Sequence, residues 1–270
     1  MTDPTTTTTT ASVHVAIDSH AVAWLTLDNP SKFNAMSMPM WRALSAALEA
    51  FENDPAVRCV VLTGHGDKAF CVGADISQFE QIRSGPESSA EYEALTRATL
   101  KRLQTFPKPT IAMIAGYCLG AGAILATSCD LRIGAVGSRY GIPAAKLGIG
   151  YQYSGVKRLT DLVGPGQAKR ILYSADKYSA EEMLRIGFLE ELVPAADIAT
   201  RVQDLARTIA QNAPLSIAAS RCAVETACSN DLQPDIAACT AREHACTASE
   251  DHAEGRRAFM EKRNPIFHGR

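Results

Sequence analysis

Two glycine-containing turns in this 270-residue chain could present backbone amides to a ligand. In GHGDKAFCVGADIS, residues 64–77, Gly73 allows a tight turn after a strand, so that the N–H of Ala74 can point outward. In GYCLGAGAILATSCD, residues 116–130, the turn leads into a predicted helix whose first amide, that of Ala121, has no acceptor within the helix. Two N–H groups directed at one oxygen form an oxyanion hole, which stabilises negative charge developing on a carbonyl. Glycine turns are usually structural, so either turn alone would not identify a site.

The elements around these turns follow an α/β pattern. Alternating apolar residues predict two antiparallel strands over SVHVAID and VAWLTLDN, with a turn at Ser19 and His20. A helix is predicted over SMPMWRALSAALEAFEND, with Ser37 as its N-cap. Buried strands are predicted over VRCVVLTG, TIAMIAGYCLG and CDLRIGAV. Strand, helix and strand in this order favour parallel crossover units.

The chain divides into three predicted regions. The threonine-rich residues 1–10 are predicted to be a disordered tail, residues 11–193 an α/β core, and residues 194–270 a helical region. A polar segment at 77–106, interrupted by Gly85 and Pro86, could form a mobile cover over the core.

Composition excludes several classes of protein. A formal net charge of −2 with scattered Lys and Arg predicts neither a nucleic acid nor an anionic membrane as partner. No apolar run approaches the roughly 20 residues of a membrane span, and no signal peptide is recognisable. The eight cysteines form no C-x-x-C pair, which favours buried free thiols in a reducing cytoplasm over a metal site or disulfides. They are Cys59, Cys71, Cys118, Cys129, Cys222, Cys228, Cys239 and Cys246.

Five segments in order resemble the enoyl-CoA hydratase/isomerase, or crotonase, superfamily. They are NPSKFNAMS at 29–37, KAFCVGADI at 68–76, PKPTIAMIAGYCLGAGAILATSCDLRIG at 107–134, YGIPAAKLGIG at 140–150 and EGRRAFMEKRNPIF at 254–267. The resemblance implies a spiral of ββα units, followed by a C-terminal helical region that builds a homotrimer or a dimer of trimers. It also implies an acyl-CoA thioester substrate whose carbonyl lies between the N–H groups of Ala74 and Ala121. No cofactor is implied beyond the coenzyme A of the substrate.

The resemblance also points to residues that would contact the substrate. The segment containing Lys32, Phe33 and Ala35 matches one that lies along coenzyme A, where a lysine suits a phosphate. A solvated loop lysine is the alternative for Lys32. Lys262 and Phe267 match a tail that reaches towards the coenzyme A of a neighbouring subunit, although an oligomerisation helix accounts for them equally well. The remaining expected substrate contacts are Asp75, Ile76, Ile124 and Ala144.

Two positions depart from the pattern of the hydratases that this chain resembles. Those enzymes use two glutamates to position water and move a proton, and the matching positions here are Ile124 and Ala144. Neither side chain exchanges protons, so the two-carboxylate hydration mechanism lacks its acid and base. Ala144 also counts against the single-glutamate mechanism of the double-bond isomerases. The loop GIGYQYSG supplies no carboxylate either.

Three functions stay open at this point. The first is an acyl-CoA enzyme that stabilises an enolate in the oxyanion hole. The second is decarboxylation of a malonyl-CoA-type substrate, since loss of CO₂ needs no base to remove a carbon-bound proton. The resemblance supports it, because Tyr151 matches a tyrosine that orients the carboxylate in methylmalonyl-CoA decarboxylase, a member of the superfamily. Aromatic residues in such loops more often pack than catalyse. The third is an acyl-CoA-binding pseudoenzyme. Other possible proton carriers, each of which could instead be structural or solvated, are Tyr140, Lys146, Tyr153 and Glu80.

Overall fold

The computed structural model describes residues 11–75, 77, 86–229 and 231–270. The predicted disordered tail at 1–10, the expected contact residue Ile76 and the possible proton carrier Glu80 lie outside the described residues. So does the first part of the predicted cover, apart from Ser77.

In the described part of the chain, ten strands form two sheets. The six-stranded sheet has the order β1-β2-β3-β5-β7-β10, and the four-stranded sheet has the order β4-β6-β8-β9. Pairing is parallel except between β1 and β2 and between β8 and β9. The strands are β1 Ser12–Ile17, β2 Val22–Asp28, β3 Cys59–Gly64, β4 Ala69–Cys71, β5 Thr110–Ile114, β6 Tyr117–Leu119, β7 Leu131–Ala135, β8 Arg139–Gly141, β9 Tyr178–Ser179 and β10 Glu191–Val193.

Nine α-helices accompany the sheets in the same described ranges. They are α1 Met38–Glu52, α2 Pro86–Gln104, α3 Ala121–Thr127, α4 Tyr153–Ser174, α5 Ala180–Arg185, α6 Ile198–Gln211, α7 Pro214–Cys228, α8 Ile236–Thr247 and α9 Glu250–Glu261. Helix α4 is interrupted at Gly164. None of the described helices is both long enough and apolar enough to cross a membrane.

The chain repeats a unit of two strands and a helix. Each of the units β3-β4-α2, β5-β6-α3 and β7-β8-α4 places its first strand in the large sheet and its second in the small one. This arrangement confirms the predicted spiral of ββα units. It corrects the single strand predicted over TIAMIAGYCLG, because the chain turns at Gly116, with φ +66°, and β6 pairs with β4 and β8 instead of continuing β5.

The predicted N-terminal elements are confirmed. Strands β1 and β2 pair antiparallel in the register Ser12 with Asp28. The Ser37 side chain accepts a hydrogen bond from the Met40 amide and so caps α1. The apolar stripe of α1 is buried in the main core, and its residues are Met40, Trp41, Leu44, Leu48 and Phe51.

Helix α6, the first helix after the predicted α/β core, packs against the six-stranded sheet. Ile198, Val202 and Ala206 of α6 pack in one buried cluster with Val61 and Ile133 of the sheet. The predicted boundary at 193/194 therefore falls before a helix that completes the core. The helices α7, α8 and α9 follow, and residues 262–270 after α9 are not helical.

The cysteines fall into two groups. Cys59, Cys71, Cys118 and Cys129 are buried, as predicted. Those of the C-terminal helices are not buried, which corrects the prediction for this half. Cys228 is exposed, and Cys222, Cys239 and Cys246 are partly exposed. The reason is that α7 and α8 bury none of their side chains within this chain.

Candidate active site

Ala74 lies in a short bridge between two loops. The Met36 amide donates to the Gly73 carbonyl at 2.8 Å, and the Asp75 amide donates to the Met36 carbonyl at 3.0 Å. Because successive peptide groups of extended backbone point to opposite sides, the N–H of Ala74 points away from Met36. It has no acceptor among the described residues.

Ala121 is the first residue of α3, and its amide also has no acceptor in the described part of the chain. A Cβ placed on Gly73 would lie 3.5 Å from the Ala121 nitrogen, so the residue before Ala74 passes directly beside this second amide. Gly73 has φ +118°, a conformation that side-chain-bearing residues rarely adopt. The amides of Ala74 and Ala121, which were predicted to act together, therefore lie close to each other.

The start of α3 packs against β4 with no side chain between them. A Cβ on Gly122 would meet the Cys71 carbonyl oxygen at 2.2 Å, so this position has room only for glycine. The Gly73 amide donates to the Cys71 sulfur at 3.4 Å. Burial raises the pKa of Cys71 to about 12, so the sulfur is a neutral thiol that supports the Gly73 turn. The sequence did not indicate this role.

The Tyr151 hydroxyl lies beside Gly120. Its oxygen would lie 3.5 Å from a Cβ atom placed on Gly120, the residue directly before Ala121. The Gly73 Cα is 3.7 Å from the same point. Burial, with smaller contributions from Tyr92 and Cys71, raises the pKa of Tyr151 to about 12. At neutral pH the phenol therefore keeps its proton and can donate a hydrogen bond.

Ile124 and Ala144 lie in the apolar core. Their exposed fractions are 3% and 7%, respectively. The Ile124 Cγ2 is 3.1 Å from the Cβ position of Gly155, so its side chain fills the space between α3 and α4. Both side chains are apolar and supply no group that exchanges protons.

The other possible proton carriers within the described residues lie elsewhere. Tyr140 is fully buried, with its ring edge-on to Phe188 at 5.6 Å. Tyr153 is 79% exposed, and Lys146 pairs with Asp176 at 3.1 Å. Among the described residues, no contact joins any of the three to the two amides.

Lys32 is held by Asp75 in this structure. Its Nζ donates to both Asp75 carboxylate oxygens, at 3.1 and 2.8 Å, and to the Ser77 hydroxyl at 2.5 Å. Burial raises the pKa of Asp75, but the hydrogen bonds from Lys32 and Ser77 outweigh it and leave the pKa below 3.8. The pair ties the loop after Ala74 to the loop that carries Lys32.

The loop at 29–36 depends on two asparagines that sequence reasoning missed. The buried Asn34 has φ +57° and donates to the carbonyls of His65 and Ala69, at 3.0 and 2.7 Å. Asn29 donates to the Ala35 carbonyl at 2.9 Å. Asparagine tolerates left-handed backbone better than most residues, which is the signal that could have identified Asn34.

Phe33 and Ala35 differ in exposure. Phe33 is 45% exposed, its ring meets Tyr117 edge-on at 6.1 Å, and its carbonyl accepts from the Val72 amide. Ala35 is buried at 5% and acts through its backbone. Phe33 is therefore the one of this pair with a side chain that a ligand can reach.

Lys262 and Phe267 do not join these residues within one chain. The Phe267 carbonyl accepts from Arg58 at 2.5 Å, and its ring packs 3.5 Å from the Cβ position of Gly255. Arg58 lies just before the first residue of β3, and the last residue of β3 adjoins the loop that carries Asn34. The length of β3, about 17 Å, therefore separates Phe267 from that loop. Lys262 is exposed at the end of α9. Contact of either with a neighbour's coenzyme A stays a prediction.

Replacing Ala121 with proline is expected to lower kcat for the native reaction by about 10² to 10³, or about 2.7–4 kcal/mol, because it removes one donor. Proline is tolerated at the first position of a helix, so the fold should persist. The control is Ala121→Gly, which keeps the N–H. Steady-state kinetics on the two folded variants measures the effect, and undiminished turnover of the proline variant would show that this turn is only structural.

Replacing Lys32 with methionine is expected to destabilise the fold at neutral pH by about 0.2–1 kcal/mol, a range set by the 44% exposure of the lysine. Since the pKa of Asp75 is lowered in the fold, the pair stabilises above the ordinary value of 3.8 and less as pH falls through the folded-state value. Urea unfolding at neutral and acid pH should show the difference shrinking in acid. Lys169→Met, at an exposed position of α4, is the control.

Comparison with known proteins identifies relatives over almost the whole chain. Residues 18–270 match the model of the enoyl-CoA hydratase/isomerase family. The crotonyl-CoA hydratase of Syntrophomonas wolfei is 35% identical over 91% of this chain and 94% of its own length. The short-chain-enoyl-CoA hydratase of Clostridium acetobutylicum is 33% identical over 90% and 92%. A crystal structure of an enoyl-CoA hydratase/carnithine racemase from Magnetospirillum magneticum superposes with a TM-score of 0.90 at 31% identity, covering 96% of both chains.

Proposed function

Because the chain belongs to the enoyl-CoA hydratase/isomerase family, we propose that it binds a malonyl-CoA-type thioester and decarboxylates it through an enolate held by Ala74 and Ala121. The observation that carries the proposal is the Tyr151 hydroxyl beside Gly120, the residue that directly precedes the Ala121 amide. Neither this amide nor that of Ala74 has an acceptor among the described residues, and Ile124 and Ala144 supply no carboxylate.

The two amides would hold the thioester carbonyl oxygen. Both are oriented before any substrate arrives, because Gly73, Gly120 and Gly122 hold their turns close together. Negative charge that develops on the oxygen is then met by fixed dipoles at no cost of reorganisation. We expect the carbonyl oxygen about 2.7–3.1 Å from each amide nitrogen.

Loss of CO₂ fits the groups that this site contains. The bond between the α-carbon and the carboxylate breaks, and its electron pair forms the enolate, so that charge passes from the carboxylate to the oxygen in the hole. No base is needed. Tyr151, protonated at neutral pH, then gives its proton to the α-carbon and recovers one from solvent.

Hydration is the alternative that the names of the relatives suggest. It requires a group that removes a proton from water and one that delivers a proton to carbon. The two relatives compared above are named as hydratases, but this chain has Ile124 and Ala144 at the positions where the resemblance places their glutamates. Because Ile124 and Ala144 cannot transfer protons, we favour decarboxylation over hydration.

Coenzyme A would lie along the loop at 29–36. The exposed ring of Phe33 can stack against an apolar or aromatic part of the ligand. Lys32 would contact a phosphate by exchanging part of its pairing with Asp75, which a mobile lysine side chain allows.

We expect the protein to assemble as a trimer or a dimer of trimers, with Lys262 and Phe267 near a neighbour's coenzyme A. The C-terminal region leaves large apolar side chains exposed, among them Phe259 at 82%, Met260 at 80% and Ile266 at 67%. Deleting the residues after Glu254 should cause dissociation together with weaker binding of coenzyme A. Light scattering of the intact protein measures the mass, and a stable monomer would contradict the assembly.

A mass-spectrometric screen tests the proposed reaction. Malonyl-CoA, methylmalonyl-CoA, crotonyl-CoA and saturated acyl-CoA thioesters are incubated separately with the protein. We expect loss of CO₂ from a malonyl-type substrate. Turnover of crotonyl-CoA to the hydroxyacyl product would support hydration instead, and tight binding of thioesters without any product would support a pseudoenzyme.

A further inference from the structure

Two cysteines on neighbouring C-terminal helices face each other. The sulfur of Cys222, on α7, is 3.4 Å from the sulfur of Cys239, on α8. Both side chains are partly exposed, so small oxidants can reach them. A disulfide has an S–S length of about 2.0 Å, so closure requires the two sulfurs to approach by little more than one ångström.

A hydroxyl group completes this cluster. Thr226 follows Cys222 by one helical turn, and its hydroxyl accepts a hydrogen bond from the Cys239 thiol at 3.3 Å. When Cys239 loses its proton, the same hydroxyl can rotate and donate to the thiolate, because a threonine hydroxyl is both donor and acceptor. The thiolate is the form that reacts with peroxides and disulfides.

Within the chain, the two helices that carry the pair pack mainly against each other. Neither α7 nor α8 buries a side chain. Helix α7 is joined to the core beside Cys222, where Arg221 donates to Asp130 at 2.5 Å and to the Gln104 carbonyl at 2.8 Å. A disulfide from Cys222 to Cys239 would therefore connect α8 covalently to the part of α7 that Arg221 holds to the core.

We propose that Cys222 and Cys239 form a redox-active pair that hydrogen peroxide converts into a disulfide, which clamps α7 to α8. One thiolate attacks an oxygen of the peroxide, forms a sulfenic acid and releases hydroxide. The second thiolate attacks that sulfur and releases the sulfenic oxygen as hydroxide. In sum, two thiols and one peroxide give one disulfide and two waters. A dithiol reductant reverses the step.

The test is a cross-link map of the intact reduced protein after exposure to hydrogen peroxide. Trypsin with a protease that cleaves after Glu and Asp separates Cys222, in residues 222–225, from Cys228, in 226–231, and from Cys239, in 236–242. We expect loss of two hydrogen atoms in mass and a cross-link between residues 222–225 and 236–242. Absence of that link, a link to Cys228 or Cys246, or links between chains would overturn the proposal.

Variants provide a second readout. Cys222→Ser and Cys239→Ser should each abolish the link, whereas Cys228→Ser, on the same helix as Cys222, should retain it. Amide hydrogen exchange at 222–239 should be slower in the oxidised wild-type protein than in the reduced one, and unchanged by peroxide in Cys222→Ser. Equal exchange before and after formation of the link would overturn the clamp. The cross-link map of the wild-type protein decides the pairing even if a variant fails to fold.

Discussion

Crotonyl-CoA is expected to be hydrated by this protein far more slowly than the turnover of about 10 s⁻¹ that is typical of enzymes. Each general acid or base contributes about 10² to 10⁴ in rate, and both positions that the resemblance assigns to glutamate hold residues without such a group. The oxyanion hole alone polarises the substrate but does not activate water. The remaining rate should therefore be a small fraction of that of a hydratase.

The measurement is the loss of crotonyl-CoA absorbance, with a crotonyl-CoA hydratase relative assayed in parallel. Turnover by this protein at the level of the relative would contradict the prediction. Introducing glutamate at Ile124 is not expected to restore hydration by itself, because that side chain is buried at 3% and packs against Gly155. A carboxylate there would lack hydrogen-bond partners, and burial would raise its pKa.

Replacing Tyr151 with phenylalanine is expected to lower kcat for the malonyl-type substrate by about 10² to 10⁴, because the enolate then loses its proton donor. The ring and its packing stay, so KM should change little. Tyr153→Phe is the matched control, since Tyr153 lies two residues further along and is 79% exposed. Stopped-flow or steady-state measurement of product formation with both variants distinguishes the two tyrosines.

The pH dependence separates a catalytic from a packing role. Burial raises the pKa of Tyr151 to about 12, so the phenol remains protonated above the ordinary tyrosine value of about 10. Activity should therefore persist in mild alkali and fall only as pH approaches the raised value. Equal kcat in wild type and Tyr151→Phe at every pH would show that the hydroxyl only packs.

The predictions that succeeded from the sequence alone rest on local patterns. The alternation in β1 and β2, the apolar stripe of α1 and the cap at Ser37 depend on residues a few positions apart. The turn at Gly73 also follows from a local requirement, since φ +118° demands glycine. Such features need no knowledge of what packs against them.

Other features depend on residues far apart in the chain. Residues 110–119 read as one apolar strand, but their two halves belong to different sheets, because β6 finds its partners in β4 and β8. Both cysteines of the C-terminal pair looked like core thiols, because nothing local reveals that α7 and α8 bury no side chain in this chain.

The active site shows the same division. The sequence alone identified its glycines and the absence of glutamate at Ile124 and Ala144. Backbone freedom and chemical type are properties of the single residue and do not depend on the fold. The resemblance singled out Tyr151 over Tyr153, but the sequence did not show where either hydroxyl lies. Tertiary packing brought only the hydroxyl of Tyr151 to Gly120 and raised its pKa, because burial and distance across the fold depend on every element that surrounds the loop.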